Sequence, residues 1–201
     1  MKMKNGLITI LLMFVAVTSG FAQGWETDLE GNIRKGFQPQ ISKISCGVDV
    51  IEGYNFENGF YLGGGIGAVY ADGLMQEIHQ FNSEGAEVEL SNNTVNNVSW
   101  GARAFLRAKY EFNPGLPFVV CDAGYSRRIG DTKYAMNTGF FVAPGIGGSI
   151  DLFGKRVYGI ISYDVFQWSY EYYKTPHKDS DPFDQRTVWT GGLNFHIGIE
   201  L

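Results

Sequence analysis

The chain has 201 residues, 27 of them glycine, with 15% aromatic residues and a formal charge of −5. The length suits one domain. The first 22 residues hold two bases and no acid, so the remainder carries 14 − 21 = −7, which gives no reason to expect a nucleic-acid partner.

Residues 1–22 read as a signal peptide. Lys2 and Lys4 form a positive start, Leu7 to Val17 is a short apolar run, and Ser19-Gly20-Phe21-Ala22 supplies small residues for cleavage after Ala22. No cysteine follows the run at the cleavage site, so lipoprotein processing is not expected. No second run approaches the ~20 apolar residues that a transmembrane helix needs, so residues 23–201 are not a helical membrane protein.

From Gln23 onward the recurring signal is two-residue alternation broken by turns. The stretch 25–37 alternates loosely: Trp25, Leu29, Ile33 and Phe37 against Glu26, Asp28, Glu30 and Arg34. Clearer strands follow at 41–56, 60–71, 96–112, 117–129, 139–153, 156–172 and 187–201. In 97–112 one face holds Val98, Trp100, Ala102, Ala104, Leu106, Ala108, Tyr110 and Phe112, and the other holds Asn97, Ser99, Gly101, Arg103, Phe105, Arg107, Lys109 and Glu111. With 25–37 as the closing member the count is eight, and single-chain bacterial barrels are even.

Connections alternate in length. Those at 57–59, 113–116 and 154–155 are tight, and those at 72–95, 130–138 and 173–186 are long and polar. A three-residue turn ending in Gly59 pairs Phe56 with Phe60. A four-residue turn pairs Phe112 with Pro117, and so sets Arg107 opposite Asp122. A two-residue type II′ turn at Gly154-Lys155 pairs Phe153 with Arg156, Asp151 with Tyr158 and Gly145 with Asp164. Faces match across all three turns, whereas a one-residue slip would mix them. The acidic connection 72–95 is expected to be the most mobile part and a contact surface.

Alternation alone does not say which face points out, since a soluble barrel has the same period with apolar residues inside. Three features point the apolar face outward. That face is bulky, the polar face is rich in glycine (Gly63, Gly65, Gly67, Gly145, Gly147, Gly192, Gly198), and aromatics gather near strand ends (Tyr54, Phe56, Phe60, Tyr110, Phe112, and Trp168 to Tyr173). The fold expected is all-β: a transmembrane eight-stranded antiparallel up-and-down barrel with periplasmic short turns. Its lumen charges are then Arg103, Arg107, Lys109 and Arg128 against Asp49, Asp122, Asp151, Asp164 and Glu200, with His196 among them. They read as a salt-bridged plug, with a proton- or ion-conducting path as the sharper alternative. Cys46 and Cys121 fall on the outward face of non-neighbouring strands, so no disulfide is expected.

On these features the chain resembles the small outer-membrane β-barrel proteins of Gram-negative bacteria, the group of OmpX-like and OmpA-like barrels. The resemblance rests on Gly53-Tyr-Asn-Phe-Glu-Asn-Gly-Phe-Tyr-Leu-Gly-Gly-Gly-Ile-Gly67 as a strand–turn–strand. It also rests on a last strand whose Phe195, Ile197, Ile199 and Leu201 look like the signal read by the barrel-assembly machinery. The family signal usually ends in Phe, where this chain has Leu201. The resemblance implies insertion among outer-membrane lipids and a filled lumen, and it carries no catalytic motif.

Other constellations are weak. His177, Asp179, Ser180 and Asp181 share one outer loop without the spacing of a known nucleophile site. Asp179, Asp181 and Asp184 lack the glycine and distal Glu of a Ca²⁺ loop. Gly63 to Gly67 lacks the helix and Lys of a phosphate loop. His79 stands alone. No cofactor or metal is expected. The functional expectation is a monomeric, non-enzymatic outer-membrane scaffold displaying polar loops. Its rivals are a lipid A deacylase or acyltransferase of the same architecture and a narrow channel.

Overall fold

The computed structural model describes residues 24–37, 44–56, 58–71, 78–81, 87–91, 99–112, 117–129, 139–173 and 183–201, so the expected signal peptide lies outside the described residues. The strands are β1 (Trp25–Gly36), β2 (Ile44–Asn55), β3 (Phe60–Ala71), β4 (Ile78–Phe81), β5 (Glu87–Ser91), β6 (Ser99–Glu111), β7 (Phe118–Ile129), β8 (Gly139–Leu152), β9 (Lys155–Tyr173) and β10 (Phe183–Glu200). Eight of them close a barrel in the order β1-β10-β9-β8-β7-β6-β3-β2, with every pairing antiparallel.

The loosely patterned 25–37 stretch is the closing strand. β1 pairs with β2 from Trp25 opposite Tyr54, and with β10 from Asp28 opposite Glu200 to Gly36 opposite Gly192. Its composition is poor for a strand, with Gly31, Asn32 and three acids before residue 31. Two neighbours supply the backbone hydrogen bonds that propensity alone does not demand.

Two of the three hairpin registers are as the sequence predicts. Gly59, at φ 83°, donates its N–H to the Phe56 carbonyl, and Asn55 faces Tyr61. Arg107 faces Asp122. The third differs: the turn is Phe153-Gly154, with both residues at positive φ (53° and 74°), a type I′ rather than a type II′ hairpin. Leu152 therefore pairs with Lys155, Asp151 with Arg156 and Gly145 with Ser162. The shift moves each partner by two residues, so the faces survive and the partners change.

Two connections predicted as loop contain strand. β4 and β5 form their own two-stranded sheet within 72–95, where Val88 and Leu90 alternate with Glu87, Glu89 and Ser91. β9 and β10 stay paired as far as Tyr173 opposite Phe183, because a register fixed in the barrel wall carries an adjoining ribbon with it.

The outer wall is apolar and the interior is charged. Leu106, Ile146, Ile150 and Ile197 are each at least 65% exposed, where a water-soluble fold would bury them. Two aromatic rings bound this wall. Trp25, Tyr54, Phe56, Tyr110 and Phe112 lie toward the short turns, with edge-on contacts such as Tyr54–Phe56 and Tyr110–Phe112. Toward the other end lie Phe37 stacked on Tyr163, and the edge-on pairs Tyr70–Trp100 and Tyr125–Phe140. Trp100 and Tyr110 are ten positions apart on β6, about 33 Å along the strand. At a tilt of ~40° that is about 25 Å of height, the thickness of a lipid-facing band.

Glycine on the inner wall makes room for inward aromatic rings. A Cβ at Gly53 or Gly63 would strike the Tyr61 ring, at Gly65 the Phe105 ring, at Gly147 the Phe118 ring, and at Gly198 the Tyr158 ring.

Candidate functional site

The interior charges converge on Glu30, brought in by the closing strand. Its carboxylate is fully buried and accepts from four donors: Arg107 Nη1 at 2.7 Å, Arg107 Nη2 at 3.2 Å, Tyr158 Oη at 3.1 Å and His196 Nδ1 at 2.6 Å. Arg107, 2% exposed, also grips Asp122 through Nε at 2.8 Å and Nη2 at 2.7 Å. One guanidinium fork thus holds two carboxylates from strands on opposite sides of the lumen. A planar guanidinium is built for such double bidentate contact, and a Lys would not reproduce it.

Two further groups lie around this hub. Arg103 donates through Nε to Asp49 at 2.6 Å and through Nη2 to the same carboxylate, which also accepts from Asn32 Nδ2 at 2.7 Å. Asp164 accepts from Ser162 Oγ at 2.7 Å and Asn194 Nδ2 at 3.0 Å, with Arg34 Nη1 at 3.8 Å. The Arg34 guanidinium lies over the Phe166 ring, 4.2 Å from its centroid.

Ser162, His196 and Glu30 are connected in the order of a nucleophile, base and orienting acid. Ser162 Oγ is 3.1 Å from His196 Nε2, and Nδ1 meets Glu30. The serine's own hydrogen bond departs from that of a catalytic triad. Ser162 Oγ donates to the Asp164 carboxylate, while the Glu30 carboxylate accepts from Nδ1. A triad serine directs its proton to the histidine, and here it is directed to Asp164. Ser162 is also only 3% exposed.

The short-turn mouth of the lumen is organised differently. Lys109 Nζ lies 3.1 Å from Glu111 and 3.9 Å from Glu26. Arg156 Nη2 bonds Glu111 at 2.6 Å and Ser149 at 2.9 Å, and Asn55 Nδ2 bonds Glu26 at 2.6 Å. Among the described residues Asp28, 3% exposed, has no hydrogen-bond or ion-pair partner, although it sits opposite Glu200, another acid. Glu26 Oε2, Glu111 Oε1 and Tyr61 Oη are also buried without a hydrogen-bond partner.

Of the lumen residues expected from sequence, Asp49, Arg103, Arg107, Asp122, Asp164 and His196 are buried inside and Glu200 is half-buried at the mouth. Asp151 departs from expectation: it is exposed, because the true turn places it one pair from the hairpin end, opposite Arg156. Arg128 faces Gly101 in β7, and its side chain lies outside the described residues. Glu30, Arg34, Tyr158 and Asn194 were not singled out from sequence. Inward alternation offers the same signal for each as for the others, but which of these side chains meet depends on the closure of β1 on β10. In the last strand Phe195, Ile197, Ile199 and Leu201 alternate with the inward Asn194, His196 and Gly198, and Phe195, Ile197 and Leu201 are exposed on the apolar wall.

Cys46 and Cys121 are free and exposed on the outer wall, as expected. His177, Asp179, Ser180 and Asp181 lie outside the described residues, as do the side chains of His79 and Asp184. Among the described residues no group of three or more His, Cys, Asp or Glu is placed to hold a metal ion.

No protein-family model matches the chain, and no curated protein matches it. Among solved structures, it is similar to a major outer membrane protein from Thermus thermophilus. The TM-score is 0.45 at 10% identity, over 89% of this chain and 100% of that one.

Proposed function

We propose that the protein is a non-enzymatic barrel of the bacterial outer membrane, a rigid wall whose lumen is closed by ion pairs and whose long connections are displayed outside the cell. The observation that carries this reading is the inverted polarity of the fold: an apolar band between two aromatic rings, wrapped around buried charge. Only a closed barrel or helices satisfy every backbone group inside lipid. Periplasmic short turns, surface loops and a monomeric state belong to the same proposal, as do outer-membrane lipid as surroundings and the barrel-assembly machinery as insertion partner.

Support for a scaffold over a lipid-modifying enzyme comes from Ser162, whose proton is committed to Asp164 in a filled interior. Support for a closed lumen over a channel comes from Arg107, which bridges Glu30 and Asp122 across it. The test is reconstitution of the mature chain in lipid vesicles. We expect resistance to SDS with a mobility shift on boiling, an unchanged lipid A mass spectrum and background conductance. Identical mobility before and after heating sinks the membrane barrel, whereas a changed lipid A or discrete conductance steps sink the scaffold reading alone.

A further inference from the structure

Toward the long-connection end of the lumen, three polar groups come together without completing one another. The Arg34 guanidinium makes no hydrogen bond among the described residues. Asp164 Oδ2 stands 3.8 Å from its Nη1, and the Phe166 ring lies against its face. Thr190 Oγ1 and Asn194 Oδ1 have no hydrogen-bond partner, although their residues are only 4% and 1% exposed. The barrel register gathers these groups. Arg34 is directly opposite Asn194, and Thr190 is opposite Phe166, the ring on which Arg34 rests. Between Thr190 and Asn194 the inward position is Gly192, which faces Gly36, so this part of the inner wall carries no side chain.

Folded chains rarely leave several buried polar groups unmatched in one place. Arg103 and Arg107, on the same inner wall, each grip a carboxylate. Asp164 does not do this for Arg34, because its oxygens accept from Ser162 Oγ and Asn194 Nδ2. The second of those bonds also orients the amide and leaves Oδ1 as a free acceptor. The unmatched set is therefore a planar fork of N–H donors, one hydroxyl and one acceptor. A guanidinium fork matches two oxygens of an oxyanion, and the Thr190 hydroxyl donates to a third. Asn194 Oδ1 then requires a ligand that itself donates an O–H. Phosphate meets all three demands, since it keeps a P–OH at neutral pH. That proton also softens repulsion from the neighbouring Asp164 carboxylate. Sulfate has the same shape and no proton to give.

We propose that Arg34, Thr190 and Asn194 form a binding site for a small protonated oxyanion of the phosphate class, held inside the lumen. Arg34 and Thr190 donate to its oxygens, and its hydroxyl donates to Asn194 Oδ1. The site faces the lumen and not the lipid, so the ligand is a free ion rather than a headgroup. Deeper in the lumen Arg107 bridges Glu30 and Asp122, which makes the long-connection end the way in.

The experiment uses the mature chain folded into phosphatidylcholine vesicles, with the fold of every variant checked by its heat-shifted band in SDS. Inorganic phosphate is titrated calorimetrically at neutral pH and fixed ionic strength, with sulfate as the matched control. The expected result is saturable phosphate binding, with sulfate at least about tenfold weaker, because a site built to bond a ligand O–H rejects the analogue that lacks it. Arg34→Gln should abolish binding. Thr190→Val, which keeps the shape, should weaken it about tenfold, and it decides the matter if Arg34→Gln does not fold. Absence of saturable binding in the wild type, or an affinity unchanged in both variants, overturns the site. Sulfate binding as tightly as phosphate overturns the role of Asn194 and with it the ligand class. A wild type without a heat-shifted band overturns the barrel reading on which the site depends.

Discussion

The middle of the lumen and its short-turn mouth are built from the same residue types and reach opposite electrostatic outcomes. In the middle, Glu30 and Asp122 share Arg107, His196 and Tyr158 complete Glu30, and each of these polar atoms has a partner. At the mouth, Glu26, Asp28, Glu111 and Glu200 face Lys109 and Arg156, and Glu26 Oε2 and Glu111 Oε1 meet Lys109 as ion pairs without a hydrogen bond. Buried charge stabilises when geometry satisfies every lone pair and costs free energy when it does not. The barrel is therefore fastened at its centre, while the mouth holds carboxylate in excess of base.

The largest expected effect lies at the centre. Arg107→Leu strands two buried carboxylates, so its cost should reach or exceed the upper end of the ~3–5 kcal/mol typical of breaking one buried pair. Urea unfolding in lipid vesicles measures it, and a cost below that of Asp122→Leu would mean that Glu30 does not depend on the guanidinium. Asp122→Ala comes next, at about 3 kcal/mol, since Arg107 keeps Glu30. The sequence pairing of Arg107 with Asp122 alone would make Arg107→Leu/Asp122→Leu milder than either single change. With Glu30 as a second partner, the double variant should cost less than Arg107→Leu, which strands two carboxylates, and more than Asp122→Leu, which leaves Arg107 on Glu30. Strict additivity of the two changes would break the pairing.

The mouth should respond with the opposite sign. Asp28→Asn removes a buried charge that faces another acid, Glu200, without changing its shape, and burying a charge costs free energy unless it is closely paired. The variant should raise the urea midpoint, and a lowered midpoint would show that the mouth holds Asp28 as firmly as the centre holds Asp122. The smallest effect is expected at the β8–β9 turn. Phe153, at φ 53° and 97% exposed, occupies a position that suits Asn. Phe153→Asn should stabilise by about 0.5–1 kcal/mol, and a loss of stability would argue for the Gly154-Lys155 turn instead.

The sequence by itself determined the number of barrel strands, the two faces, the inversion of polarity and the pairing of Arg107 with Asp122, but not the separate β4-β5 sheet. Side-chain alternation has a period of two, and a short turn converts sequence distance directly into a cross-strand partner. It misplaced the β8–β9 partners because Gly154 suits two turn types that differ by two residues in register and leave every face unchanged. Only the tertiary structure decided that Glu30 is the hub. Glu30 and His196 are 166 residues apart, and Arg107 reaches Glu30 across the lumen rather than along a hairpin. Both contacts exist only once β1 has closed on β10, and no local pattern in the weakest strand encodes what lies across the barrel from it.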